Sequence, residues 1–345
     1  MVGGAPSAID KVRPVLKAIG GRIWDMGTEA PTANAAKIAC NMLIAMAIEA
    51  MAEGVVLTES NGLPRDRYFR IDLTRRQSLA PVSLGALHSA HGLDFVDGKL
   101  YFTAETNKVI GRFDPAGGAI DWVLGTGQDR THMIRVAPDL KHIYTTNVRS
   151  NSVSILESTT RSAFGPPPPT PSPGSASPTR APTVTVWDQS VIPAGRGAEG
   201  FDLSPDGREL WTANAQDGTV TVIDLARKQV VATFPIPVQG ANRLKFTPDG
   251  QHVLVSALGH FGTPQPDHVN LIVIDVASRK TVRTLDLGGG AAGMLIAPEG
   301  SRAFVAVSGG GKVAVIDLHT FTLSGQIAPM GQPDGLAWVH AGPNN

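Results

Sequence analysis

The stretch Ala198–Asn242, AEGFDLSPDGRELWTANAQDGTVTVIDLARKQVVATFPIPVQGAN, decides the fold. It holds four short β-prone runs, Gly200–Leu203, Glu209–Ala213, Thr219–Leu225 and Gln229–Phe234. Ser204-Pro-Asp-Gly207 and Gln216-Asp-Gly218 supply turns between the first three, because Gly and Asp tolerate the positive φ of tight hairpins. Four antiparallel strands in about 42 residues, repeated, are the signature of a β-propeller blade.

Working outward, most of the chain reads as copies of this unit. Upstream lie Gly92–Val96, Lys99–Ala104, Lys108–Phe113 and Ala119–Leu124. Another copy begins at Met133, where Ile143-Tyr-Thr-Thr-Asn147 matches Leu210-Trp-Thr-Ala-Asn214. Its outer strands, Ser152–Leu156 and Thr183–Trp187, flank a Pro/Ser-rich insert at 165–182 that cannot build a core and reads as a disordered excursion. Two copies follow downstream, from Arg243 and from Gly293, with a longer loop around Gly259-His260. Two lone outer strands near Tyr68 and Ala80 and a lone inner strand, Gly335–Val339, look complementary, and a blade made from both would close the ring. The expectation is therefore a mainly β chain: a propeller of about six four-stranded blades over 66–340, seven being the alternative, after a small α/β or helical piece at 1–65.

The [IL]-[YW]-T-x-N motif, followed by [ST]-V-[TS]-[VI]-[IL]-[DE] and S/T/A-P-D-G turns, resembles the YVTN family of bacterial propeller proteins over roughly 68–340. That family commonly has seven blades and is often exported. The first 65 residues differ. MVGG, P-x-L-x-A-x-G-G at Pro14–Gly21 and K-x-x-x-N at Lys37–Asn41 resemble the β-hydroxyacid dehydrogenases, which include 3-hydroxyisobutyrate dehydrogenases. The resemblance implies that Lys37 polarises a substrate oxygen and Asn41 holds the substrate, as in a fusion that retains a remnant of that enzyme. Pro31 and Ala33 replace the family's glycines, and the upstream dinucleotide fingerprint is missing, which argues against NAD(P) binding.

Composition narrows the classes. The chain has 345 residues, 42% hydrophobic, enough for a sizeable core. Lys plus Arg equals Asp plus Glu at 30 each, and no basic tract interleaves with aromatics, so nucleic acid is not an expected partner. The single cysteine, Cys40, excludes an intrachain disulfide framework. Ile38–Leu57 is apolar but carries Asn41, Glu49 and Glu53, which a bilayer penalises, so no membrane partner is expected. The opening MVGGAP lacks the features of a secretory signal, and the expectation is a cytoplasmic monomer.

In a propeller the residues entering each inner strand converge on the central axis. Aligning the repeats places His91, His132, Glu199, Asn242, Ala292 and Asp334 there, with His260 near the rim. Histidine and carboxylate around a funnel suit a small polar ligand or a divalent metal, the metal set being His91, His132, Glu199 and Asp334. The expected function is a non-enzymatic binding scaffold whose funnel meets a small ligand or a protein partner, with no cofactor beyond such a metal. The rival readings are a metal-dependent, lactonase-like hydrolase and the dehydrogenase remnant. No G-x-S-x-G elbow supports serine catalysis.

Overall fold

A computed structural model describes residues 1–19, 23–29, 31–39, 67–73, 75–162, 183–259, 269–328 and 331–338. The chain divides into two compact units, Met1–Gly85 and Ala86–Asn345.

In the first unit, helix α1 (Pro6–Ile19) follows a strand-like start. Val2 forms a parallel bridge with Asp25, and its N–H donates to the Trp24 carbonyl at 2.8 Å. Residues 31–39 are helical and leave Lys37 exposed, while Asn41 and most of Ile38–Leu57 lie outside the described residues. Strands β1 (Arg67–Asp72) and β2 (Gln77–Ser83) make a two-stranded antiparallel sheet. No helix among the described residues is long and apolar enough to cross a membrane.

The second unit holds five four-stranded antiparallel sheets in chain order. The first blade comprises β3 (Ala90–Val96), β4 (Lys99–Ala104), β5 (Val109–Asp114) and β6 (Ala119–Gly125). The second comprises β7 (Thr131–Val136), β8 (His142–Asn147), β9 (Ser152–Ser162) and β10 (Thr183–Pro193). The third has β11 (Ala198–Leu203), β12 (Glu209–Asn214), β13 (Thr219–Asp224) and β14 (Gln229–Pro235). The fourth has β15 (Ala241–Phe246), β16 (His252–Ala257), β17 (Val269–Asp275) and β18 (Lys280–Asp286). The fifth has β19 (Ala291–Ile296), β20 (Arg302–Val307), β21 (Lys312–Asp317) and β22 (Thr322–Ile327).

The described residues thus form a propeller of five blades, which corrects the expected six or seven. The expected lone strand at Gly335–Val339 is not formed over 335–338, and β1–β2 gains no third strand. The reason is physical: propeller strands hydrogen-bond only within their own blade, so an inner segment without a second strand has no ladder to join. Residues 333–335 instead lie against β19, where Ser308 Oγ donates to the Pro333 carbonyl. A Cβ on Gly293 would meet the Asp334 carbonyl at 1.8 Å. Strands β9 and β10 also run longer than expected, pairing from Ser152↔Pro193 to Ser162↔Thr183.

The core lies between blades. Trp211, Val220 and Val222 of the third blade pack against Leu244, Phe246, Val253 and Val255 of the fourth. Trp211 is fully buried, with Phe234 and Phe246 edge-on at 5.6 and 5.5 Å. Alternation in the middle strands thus serves two interfaces per blade, which is why those strands read as nearly continuous apolar runs. Asparagines that end the second strands hold the third: Asn147 Nδ2 donates to Ser152 and Ser154, and Asn214 Nδ2 to Thr219 and Thr221. Aspartates that end the third strands cap the next turn, as Asp224 does for the Arg227 N–H and Asp317 for Thr320.

Every inner strand carries a β-bulge at the same place. Register jumps from Ala90↔Ala104 to Leu93↔Phe102, from Thr131↔Asn147 to Ile134↔Thr145, and from Ala198↔Asn214 to Phe201↔Thr212. It does so again from Ala241↔Ala257 to Leu244↔Val255 and from Ala291↔Val307 to Met294↔Val305. Two residues on the inner strand therefore face one on its partner, which re-aims the first of the pair. The spare N–H finds a hydroxyl: Gly92 N donates to Thr103 Oγ1 at 2.9 Å, Met133 N to Thr146 Oγ1 at 3.3 Å, and Arg243 N to Ser256 Oγ at 3.1 Å. Each hydroxyl passes its own proton to the next blade, to the carbonyl of His132, Glu199 or Ala292.

Replacing Thr146 by Val keeps the shape and leaves a buried N–H and carbonyl without their partner. Thr146→Val is expected to destabilise the protein by about 1–3 kcal/mol, read from the urea midpoint. The exposed Thr183→Val should stay within about 0.5 kcal/mol of wild type, and equal effects of the two would remove the relay from the account.

Candidate functional site

The bulges put one residue per blade at the hub: His91, His132, Glu199, Asn242 and Ala292. These five line a single cavity of about 600 Å³, together with Asp334, Arg130 and Arg243. The aligned positions of the repeats thus come together. His260 lies outside the described residues. Lys37 stands exposed on its helix in the other unit.

Close approach of the inner strands depends on glycine at two of these bulges. A Cβ on Gly92 would meet the His132 carbonyl at 2.4 Å, and one on Gly200 the Asn242 carbonyl at 2.4 Å. The matching residue on the neighbouring strand is then free to be large, and Met133 and Arg243 occupy those places.

His132 is the centre of the hub's charge. It is 1% exposed and lies between two carboxylates: its Nδ1 meets Glu105, and its Nε2 is 2.6 Å from Glu199 Oε2 at an angle too poor for a hydrogen bond. Two guanidiniums complete the cluster, Arg130 at 3.3 Å from Glu105 and Arg243 at 3.6 Å from Glu199. The His91 and His132 rings lie with centroids 3.8 Å apart, tilted by 33°.

Each group's proton affinity follows from these neighbours. Burial opposes charge on His132, but Glu105 and Glu199 outweigh it and raise its pKa. Burial pushes the Glu105 and Glu199 carboxyls up, yet His132 and the arginines hold both below the usual range. Burial lowers the Arg243 guanidinium, with Glu199 and Asp334 working against it. His91 falls to about 4, through burial first and then the charges of His132 and Arg243.

Several buried polar atoms here have no hydrogen-bond partner: His91 Nδ1, His132 Nε2, Glu199 Oε2 and Asn242 Oδ1. Such groups are rare in folded proteins, and each calls for a physical explanation. His91, Glu105 and His132 can each offer one ligand atom, all within 4.8 Å of one another. Among the described residues Glu105 thus joins the two histidines, while Asp334 lines the cavity wall. Sequence reasoning missed Glu105, Arg130 and Arg243, since none lies in the aligned column. The break in the glycine series Gly92, Gly200, Gly293 at Arg243 was the available signal.

The class defined by these sheets is the β-propeller, and known proteins support it at that level. The chain matches no protein-family profile. It resembles the solved hydrazine synthase of Kuenenia stuttgartiensis, at 17% identity and a TM-score of 0.52, over 68% of this chain and 64% of that one. It also resembles a protein of unknown function from Desulfotomaculum acetoxidans, at 13% identity and a TM-score of 0.56, over 78% and 80% of the two chains. Identities this low carry the fold and nothing of the chemistry. A separate similarity, 34% over 71 residues, links 21% of the chain to an uncharacterized oxidoreductase, YfjR, of Bacillus subtilis. The match spans 25% of that relative's length.

The depressed His91 makes stability depend on pH. Its folded pKa lies below the unfolded value, so between pH 6.5 and about 4 the unfolded chain binds a proton that the folded chain refuses, and stability falls as pH falls. In chelator-treated protein, His91→Asn should flatten that loss, with the urea midpoint dropping less over this window than in wild type. An unchanged slope would show that His91 is not desolvated in the folded protein.

Proposed function

We propose that the propeller is a non-enzymatic binding module whose hub cavity receives a small neutral or zwitterionic polar molecule. The observation that carries this reading is the set of buried, unbonded atoms on residues that line the cavity, Asn242 Oδ1 and His91 Nδ1 among them. Each would gain a hydrogen bond from a ligand without breaking an existing one. The charges that line the cavity balance, Arg130 and Arg243 against Glu199 and Asp334, so no net field selects an anion or a cation. A volume of about 600 Å³ fits a small molecule.

Nucleophilic catalysis has little to build on. The hydroxyl on the cavity wall, Ser308, donates to the Pro333 carbonyl and is not hydrogen-bonded to a histidine. The YVTN-type motifs fit the same reading, since the threonines and asparagines they specify hold strands together. We take the 71-residue oxidoreductase similarity and the dehydrogenase-like motifs of the first 65 residues as one signal, a piece related to such enzymes. Residues 1–36, ahead of Lys37, hold no G-x-G-x-x-G fingerprint. The run Gly195-Arg-Gly-Ala-Glu-Gly200 has the letters of a G-x-G-x-x-G fingerprint, but it opens β11 and so offers no helix N-terminus to a pyrophosphate.

Thermal-shift assays with free amino acids and with monosaccharides at millimolar concentration test the cavity. A ligand at 100 times its dissociation constant stabilises the folded protein by about 2.7 kcal/mol. For a protein of this size that is a rise of several degrees in Tm. At least one compound is expected to give such a rise, and Asn242→Leu and Arg243→Met to abolish it. A panel in which nothing shifts the wild type, or in which both variants shift equally, contradicts the assignment.

A further inference from the structure

We propose that the hub also binds a divalent transition cation of the zinc type, ligated by His91, Glu105 and His132, with an open position facing the cavity. It rests on the binding reading above and names the group that a small polar ligand meets there.

The three residues come from two neighbouring blades: His91 from the bulge of β3, Glu105 from the turn after β4, and His132 from the bulge of β7. Their ligand atoms lie within 4.8 Å of one another. A tetrahedral site with bonds of about 2.0–2.2 Å has edges of roughly 3.4 Å, so small side-chain rotations close the cluster. Two imidazoles and one carboxylate suit zinc and its neighbours, whereas calcium and magnesium call for oxygen ligands. Three protein ligands leave a position for water or for a bound molecule.

A second, independent observation points the same way. His132 is 1% exposed and Glu199 8% exposed, and His132 Nε2, Glu199 Oε2 and His91 Nδ1 are all buried without hydrogen bonds. A cation on His132 Nδ1 would fix the ring's tautomer with the proton on Nε2, and a small rotation of the ring would then align that N–H with Glu199 Oε2, 2.6 Å away. Glu199 is then a positioning residue, and Glu105 and His91 are ligands. Arg130 sits at the more exposed side of the cluster, its side chain 37% accessible, so it can turn outward when a cation replaces it beside Glu105.

Titration calorimetry of the full chain, stripped with chelator and loaded with zinc at neutral pH, tests the site. One saturable equivalent is expected. Losing an outer partner of a metal ligand costs about 10–100-fold in affinity, so Glu199→Gln should lose that much, and His91→Ala and Glu105→Gln at least as much. The exposed His319→Ala should bind as wild type does, which separates the hub from adventitious surface histidines. Cobalt should give visible d–d bands in wild type and lose them in Glu105→Gln. Circular dichroism identifies any variant that fails to fold, and the near-isosteric Glu105→Gln stands in if His91→Ala does. Absence of saturable zinc binding, or wild-type affinity in both His91→Ala and Glu105→Gln, overturns the proposal. The amino acid and monosaccharide thermal shifts, run on the same stripped protein, tell the two failures apart. A shift without zinc binding sinks the cation alone, and zinc binding without a shift sinks the small-molecule reading alone.

Discussion

A single repeated contact organises the second unit: a bulged N–H on one inner strand, a hydroxyl on the adjacent strand, and a carbonyl on the next blade. Thr103, Thr146 and Ser256 each accept from their own blade's bulge and donate to the neighbour's. An extra residue in a strand leaves a backbone donor unpaired, which is costly when buried. The hydroxyl removes that cost and ties two blades together at their innermost point. Blades that meet largely through apolar side chains thereby acquire a fixed polar register, to which Asp94 adds by accepting from the Val136 N–H and Asp202 from the Phe246 N–H. Two blades lack the device, having Ala213 and Ala306 at this position. Ser308 provides a related link from the fifth blade to residues 333–335.

The same bulge creates the site. It turns the first residue of each pair toward the axis and fills the second place with glycine, or with a side chain that a facing glycine accommodates. The hub therefore assembles His91, His132 and Glu199 at short range in a place largely closed to water, where charge interactions are strong and unpaired atoms are costly. His132 between two carboxylates, with arginines behind them, is a local neutralisation in which every member sets the proton affinity of the next. Open hydrogen-bonding capacity remains on the residues that line the cavity. The scaffold is specified by contacts between blades, and the binding capacity by what those contacts leave unpaired.

Much of this was legible in the sequence, for a reason particular to repeats. Turn signals such as Ser204-Pro-Asp-Gly207 and the Asn of Leu210-Trp-Thr-Ala-Asn214 recur at fixed offsets, so each copy corroborates the others. Because the bulge also recurs, aligning first strands was enough to place His91, His132, Glu199, Asn242 and Ala292 together, while Asp334 reaches the same cavity without forming a strand. Blade number was not legible in the same way. Alternation at Gly335–Trp338 looks like an inner strand whether or not a second strand exists to bond it, since ladder partners leave no mark on the strand itself. Glu105 was invisible because it follows β4 and belongs to no repeated motif, although it supplies the second carboxylate of the hub. The hydroxyl relay was hidden for a different cause: the x of the T-x-N motif is Thr in one blade and Ala in another, so it read as a free position.

The central claim is that consecutive bulges bring side chains distant in sequence into direct electrical contact at the hub. A double-mutant cycle between His132→Ala and Glu199→Ala, followed by urea unfolding at neutral pH, measures that contact directly. Residues in one ion-pair network couple by about 0.5–3 kcal/mol, and a stabilising coupling in that range is expected here. Single-variant losses that simply add, to within about 0.5 kcal/mol, would mean that the two side chains do not meet.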